Sequence, residues 1–86
     1  MPTISVFFGI TIRMYFDDHA PPHFHVYYGE HAATIDIETL RMRHGHLPRR
    51  VAALALEWAA EHREELMANW NLAENHRPLN PVSPLE

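Results

Sequence analysis

Neither cysteine nor lysine occurs anywhere in the chain. The first absence removes disulfides and all thiolate chemistry. The second leaves arginine as the only permanently cationic side chain, beside an unusual complement of eight histidines. No run of 18 apolar residues is present, which excludes a transmembrane helix. The N-terminus has no basic stretch followed by an apolar core, which argues against a secretory signal. Together these absences lead us to expect a cytoplasmic protein with no membrane association. Lack of positive charge adds a further exclusion. A net charge of −4 with histidine neutral does not suit a protein that coats nucleic acid over its whole surface.

What remains is globular. A chain of 86 residues, 47% hydrophobic and 21% charged, reads as one domain. A domain of this size buries only about 60–65% of the surface exposed by its unfolded chain. Its stability should be modest, and a partner subunit, including a second copy of the chain, is an expected source of support. Histidine ionises near neutral pH and is the commonest metal ligand, so its abundance points towards metal binding or pH-dependent behaviour.

Alternation dominates the first half. Ile4, Val6 and Phe8 fall on one side of a first strand, with Thr3, Ser5 and Phe7 on the other. Gly9 interrupts as a turn or bulge. Ile10, Ile12, Met14 and Phe16 form the apolar side of a second strand, opposite Thr11, Arg13 and Tyr15. Residues 17–22 are a loop, because neither Pro21 nor Pro22 can donate to a sheet ladder. Alternation resumes with Phe24, Val26 and Tyr28 against His23, His25 and Tyr27. Gly29-Glu30 reads as a hairpin turn. The next strand places Ala33, Ile35 and Ile37 inward and Thr34, Asp36 and Glu38 outward. Arg41 to His46 forms a short further strand ended by Gly45.

Leu47-Pro48 opens a helix, with proline at the first helical position. Val51, Leu54, Ala55, Trp58 and Ala59, then Leu66, Trp70 and Ala73, recur at helical spacing. One unbroken helix of roughly 28 residues would be about 42 Å long, too long for a domain whose expected radius of gyration is about 12 Å. A break is therefore expected near Glu61–Glu64. Beyond Asn75 the chain turns polar, with Pro78, Pro81 and Pro84 at three-residue spacing, and reads as an extended tail that is mobile when alone. The expected organisation is an α+β domain over residues 1–76 and a proline-rich tail over 77–86. An antiparallel sheet of four to five strands comes first, and one or two C-terminal helices pack on one face. That face carries Ile4, Val6, Ile12, Met14, Phe24, Val26, Ile35 and Ile37. The other face shows Arg13, Tyr15, His23, His25, Tyr27 and Asp36.

The stretch richest in chemistry is Asp17-Asp18-His19-Ala20-Pro21-Pro22-His23-Phe24-His25. His23 and His25 project from the same strand face, and His19 lies across the proline corner with Asp17 and Asp18 beside it. Without thiolates, a divalent ion held here by His19, His23 and His25 would be zinc or manganese. Acid–base chemistry without metal is a second reading, with His25 oriented by Asp18 or Asp36 and an anion held by Arg13. A third is a well-bonded loop, since Asp and His beside prolines are good loop formers. A second cluster, Arg41-Met42-Arg43-His44-Gly45-His46-Leu47-Pro48-Arg49-Arg50, contains four of the seven arginines. Arg49 and Arg50 fall where the helix dipole disfavours cations. An anionic partner, nucleic acid or an acidic protein surface, is one reading of the cluster, and a solvated hairpin is the other. His62, Trp58 and Trp70 read as packed residues.

Several runs together carry a family resemblance: Phe7-Phe8-Gly9-Ile10, Ile12-Arg13-Met14-Tyr15, Asp18-His19-Ala20-Pro21-Pro22-His23-Phe24-His25, Tyr28-Gly29-Glu30, Ile35-Asp36-Ile37, Leu47-Pro48-Arg49-Arg50 and Glu57-Trp58-Ala59. Over essentially the whole chain, the sequence resembles a family of small bacterial and archaeal proteins catalogued as a domain of unknown function. Members tend to be encoded beside a second small protein family. The pair looks like a type II toxin–antitoxin module in which this family supplies the toxin. The resemblance implies Asp18, His19, His23 and His25 as functional residues, with Arg13 and Tyr15 beside them. It also implies an antitoxin-like partner encoded by the adjacent gene. The chain departs from the family's usual Thr-Gly-acidic hairpin at Thr39-Leu40-Arg41-Met42-Arg43-His44, where the turn loses its glycine and the arm becomes basic. The expected function is thus a toxin-like component acting on a cellular target. The alternatives are a small metal-dependent hydrolase or nuclease using the histidine cluster, and a nucleic-acid-binding module using Arg41, Arg43, Arg49 and Arg50.

Overall fold

Period-two burial and period-3.6 burial divide the chain near Leu47, and the fold follows that division. A computed structural model describes residues 2–86; Met1, the first residue of the expected domain, lies outside them. Five strands come first: β1 (Thr3–Phe7), β2 (Ile10–Arg13), β3 (His23–Tyr28), β4 (His31–Asp36) and β5 (Met42–His46). They form one antiparallel sheet in the order β1-β2-β3-β4-β5. Helices α1 (Arg49–Glu61) and α2 (Arg63–Glu74) follow. The class is α+β, as the order of patterns predicts. Among the described residues no helix is long and apolar enough to cross a membrane.

The helical region is two helices. His62 leaves helical geometry at φ −125°, and its N–H bonds the Ala59 carbonyl. The longest molecular dimension is 33 Å, too short for a continuous helix of about 42 Å. Proline sits one position earlier than expected, at the N-cap of α1. The core joins sheet to helices through Trp58, which is fully buried against Phe7 at 5.4 Å and Phe24 at 5.9 Å between ring centroids.

Two irregularities correct the predicted faces. Thr3 pairs with Arg13 but Ser5 with Ile12, a bulge that reverses the phase of β1. Ile4 and Phe7 are therefore buried, whereas Val6 and Phe8, both placed inward by strict alternation, are exposed. Tyr28, another inward expectation, is exposed at the hairpin end. Gly45 does not end β5. It lies inside the strand at φ +86°, where a side chain would collide with the Ala32 carbonyl oxygen.

The proline-rich segment is extended but packed, which corrects the expectation of mobility. Val82 donates its N–H to the Ile4 carbonyl at 2.8 Å, covering part of the β1 edge. Trp58 Nε1–H donates to the Ser83 carbonyl at 2.8 Å. Asn69, buried in α2, bonds both backbone groups of Asn80, at 2.9 and 2.8 Å. An amide side chain thus supplies the donor and acceptor that a neighbouring strand would supply. Val82 and Leu85 complete the core. Polyproline-like chain makes no internal hydrogen bonds, so its order comes from these contacts with residues distant in sequence.

Candidate functional site

The corner before β3 is rigid at both ends. Pro21 and Pro22 constrain the backbone, and the Pro22 carbonyl accepts the N–H of Ile37 at 3.0 Å, which ties the corner to the end of β4. The Ala20–Pro21 peptide bond is cis. This fixed corner turns the loop back over the start of β3 and sets Asp18 against two imidazoles. Asp18 Oδ2 lies 2.8 Å from His25 Nε2 and 3.1 Å from His23 Nε2. All three side chains are half-buried, and one ligand atom from each falls within 4.8 Å of the others.

Backbone decides the chemistry of His23. Its Nδ1 lies 2.8 Å from the Pro21 carbonyl oxygen. A carbonyl only accepts, so Nδ1 carries the hydrogen and Nε2 of the neutral ring is an unprotonated lone pair. Nε2 faces the Asp18 carboxylate, to which it donates when it carries a proton and beside which it offers a lone pair when it does not. A bond from the far ring nitrogen to a main-chain carbonyl fixes the orientation of the imidazole.

The site is also less open than the alternation of β3 suggests. The ring of His23 lies 5.2 Å from that of Trp70 in α2, so the helices reach this end of the sheet. His25 is held from the other side. Tyr15 meets it edge-on at 4.6 Å, and Tyr27 stacks parallel at 6.3 Å. The hydroxyls of Tyr15 and Tyr27 share a 2.6 Å hydrogen bond. Burial, then the bond to Tyr15, pushes Tyr27 up to about 12, so its phenol stays neutral beside the histidines at physiological pH.

The predicted site residues separate into two groups. Asp18, His23 and His25 converge. His19 is exposed and lines the adjoining cavity, but it contributes no atom to the converging group. Arg13 donates Nε–H to Thr3 Oγ1 at 3.1 Å and lies 5.4 Å from the centroid of the Tyr27 ring, away from the cavity. Tyr15 supports His25 and does not line the cavity. Asp17 is exposed, 3.5 Å from His76. The arginines of the second cluster also divide. Arg43 lines the cavity of Asp18, His23 and His25, while Arg50 lines a separate recess beside Phe8 and Tyr28.

Thr34 and His44, given no role by motif reading, enter the site together with Arg43, which the same reading assigns to nucleic-acid contact. The cavity, about 290 Å³, is lined by Thr34, Arg43 and His44 as well as by the converging group. The signal for them is sheet register: His25 pairs with Thr34, and Thr34 with His44. Strand alternation alone places each on a face but does not say which strand lies beside which.

No curated protein and no solved structure matches the chain. One family model does, described as a domain of unknown function (DUF4160), over residues 9–71. That span runs from the β1–β2 turn into α2 and includes Asp18, His23 and His25, well over half of the sequence, so the chain belongs to the DUF4160 family.

Proposed function

We propose that this protein is a small metal-dependent hydrolase that holds a divalent ion of the zinc or manganese class at Asp18, His23 and His25. One observation carries the reading: with Nδ1 committed to Pro21, His23 turns Nε2 towards a carboxylate oxygen 3.1 Å away. A cation holds such a pair together, either a proton on Nε2 or a metal ion in its place. A divalent ion bound at about 2.0–2.2 Å to nitrogen and oxygen ligands supplies one. A donor set of imidazole and carboxylate without thiolate suits zinc or manganese. Three protein ligands leave a position for water or substrate, as in catalytic rather than structural sites. The adjoining cavity gives that position somewhere to face.

The toxin-like role implied by the resemblance is the biological frame we propose for this activity: hydrolysis of a cellular target, restrained by a small partner encoded next to it. Calorimetry with zinc and with manganese tests the ion directly. The expected result is saturable binding that is lost in a His23→Ala, His25→Ala double variant, and heats equal to that control would end the proposal. Cleavage of RNA and DNA with and without a chelator tests the hydrolase. Growth arrest on expression, relieved by the neighbouring gene product, tests the frame.

A further inference from the structure

Neighbouring residues of a regular strand point to opposite faces, yet Arg43 and His44 line the same cavity. A bulge explains it. Thr34 pairs with His44 and Ile35 with Met42, so Arg43 is an extra residue with nothing opposite it. Bulges re-aim side chains in this way. Gly45 completes the arrangement, because its positive φ and its contact with Ala32 admit no side chain. The irregularity that places Arg43 is therefore built into the strand.

Arg43 is steered by a loose ion pair and is exposed to solvent. Its Nε lies 3.5 Å from Asp36 Oδ1, too far for a good hydrogen bond. Most of its five N–H donors have no protein partner among the described residues. Thr34 shows a complementary deficit. Its Oγ1 is buried without a hydrogen-bond partner among the described residues, and Thr34 lines the same cavity. A buried hydroxyl left unbonded is costly, and a ligand oxygen that reached it after a small shift of the lining would remove that cost.

We propose that Thr34, Arg43 and His44 form an oxyanion subsite beside the Asp18–His23–His25 group, and that it takes the phosphoryl group of an organic phosphate ester. A guanidinium fork, an imidazole N–H and a hydroxyl, drawn from two strands, are donors of three shapes. They suit the several oxygens of a tetrahedral anion better than the two of a planar carboxylate. A shallow recess over Ala32, Ala33 and Gly45 shares His25, Thr34 and His44 with the cavity. It offers an apolar surface to the organic part of the ester. Asp18 lines the same cavity, so the subsite depends on where the donors of Arg43 and His44 point and not on a net positive charge. Binding of the phosphoryl group stands on this geometry alone; its hydrolysis rests on the metal reading above.

Proton–nitrogen NMR of the full chain separates the two. Chelator-treated protein is titrated with inorganic phosphate and with uridine 5′-monophosphate, and a separate sample with zinc alone. The expected result is saturable shifts at the amides of Thr34, Arg43 and His44, with the nucleotide binding more tightly than inorganic phosphate. Affinity should fall at least about tenfold in Arg43→Gln and in His44→Ala, as charge-assisted bonds are removed. If Arg43→Gln does not fold, Arg43→Lys replaces it. That variant keeps the charge but loses the fork, and it should still bind more weakly than the natural chain. Shifts that do not saturate, shifts centred on Arg49 and Arg50, or unchanged affinity in the folded variants would overturn the subsite. Zinc binding without phosphate binding removes the subsite and leaves the metal reading. Phosphate binding without zinc binding does the reverse.

Discussion

His23 presents Nε2 to Asp18 Oδ2 at 3.1 Å while the opposite nitrogen of the same ring is bonded to main chain. The ring cannot rotate away from that contact without giving up the Pro21 bond. Removing either partner should therefore damage the proposed metal site more than its surroundings. Changes to outer-shell partners of metal ligands typically cost about 10–100-fold in affinity, and a ligand should cost at least as much. Asp18→Asn and His23→Ala should each lower zinc affinity by that factor in calorimetry. His19→Ala, outside the converging group, should leave it unchanged.

Tyr27 gives a pH dependence whose sign can be worked out. Its pKa stands at about 12 against an ordinary 10.0, raised first by burial and then by the Tyr15 hydrogen bond. As pH rises, the unfolded chain loses this proton first. The contribution of Tyr27 is thus fully present below pH 10, declines as pH climbs towards 12, and is gone above it. Tyr15→Phe should move the tyrosinate absorbance of Tyr27 to lower pH and narrow that window. An unmoved titration curve would show that the Tyr15 hydroxyl does not matter.

The packed C-terminal segment should be part of the cooperative fold. Asn69→Ala removes two hydrogen bonds to Asn80, each worth about 0.5–1.5 kcal/mol net. A loss of about 1–3 kcal/mol is expected from the urea midpoint. Deleting residues 79–86 should cost more, since Val82 and Leu85 leave the core and Trp58 loses its acceptor. Trp58 fluorescence would register the change directly.

Gly45→Ala tests the bulge. The substitution forces a side chain against the Ala32 backbone at a positive φ, a strain of about 1–3 kcal/mol. The melting temperature should fall. Amides of β5 should exchange faster, with those of β2 and β3 little changed. Equal loss of protection throughout the sheet would mean that β5 is not a separable edge.

Local pattern determined a good deal of this protein. Ile12, Met14, Phe24, Val26, Ile35 and Ile37 are buried where alternation places them. Gly29-Glu30 makes the hairpin turn, and the apolar stripe from Val51 to Ala73 faces the core in two helices. The order of those patterns settled the class, because burying one face of an element repeats with that element's own period. Contacts between distant residues decided the rest. A bulge in β1 exchanged Val6 for Phe7, and both are apolar, so the sequence carries no mark of the slip. Proline spacing described an unbonded segment, but the order of that segment depends on Asn69 and Trp58, 11 and 25 residues away from their partners. Asp18, His23 and His25 are neighbours in sequence and could be read together as a cluster. Thr34, Arg43 and His44 join them only because the strands pair in one register with one residue extra, and register is a property of the assembled sheet.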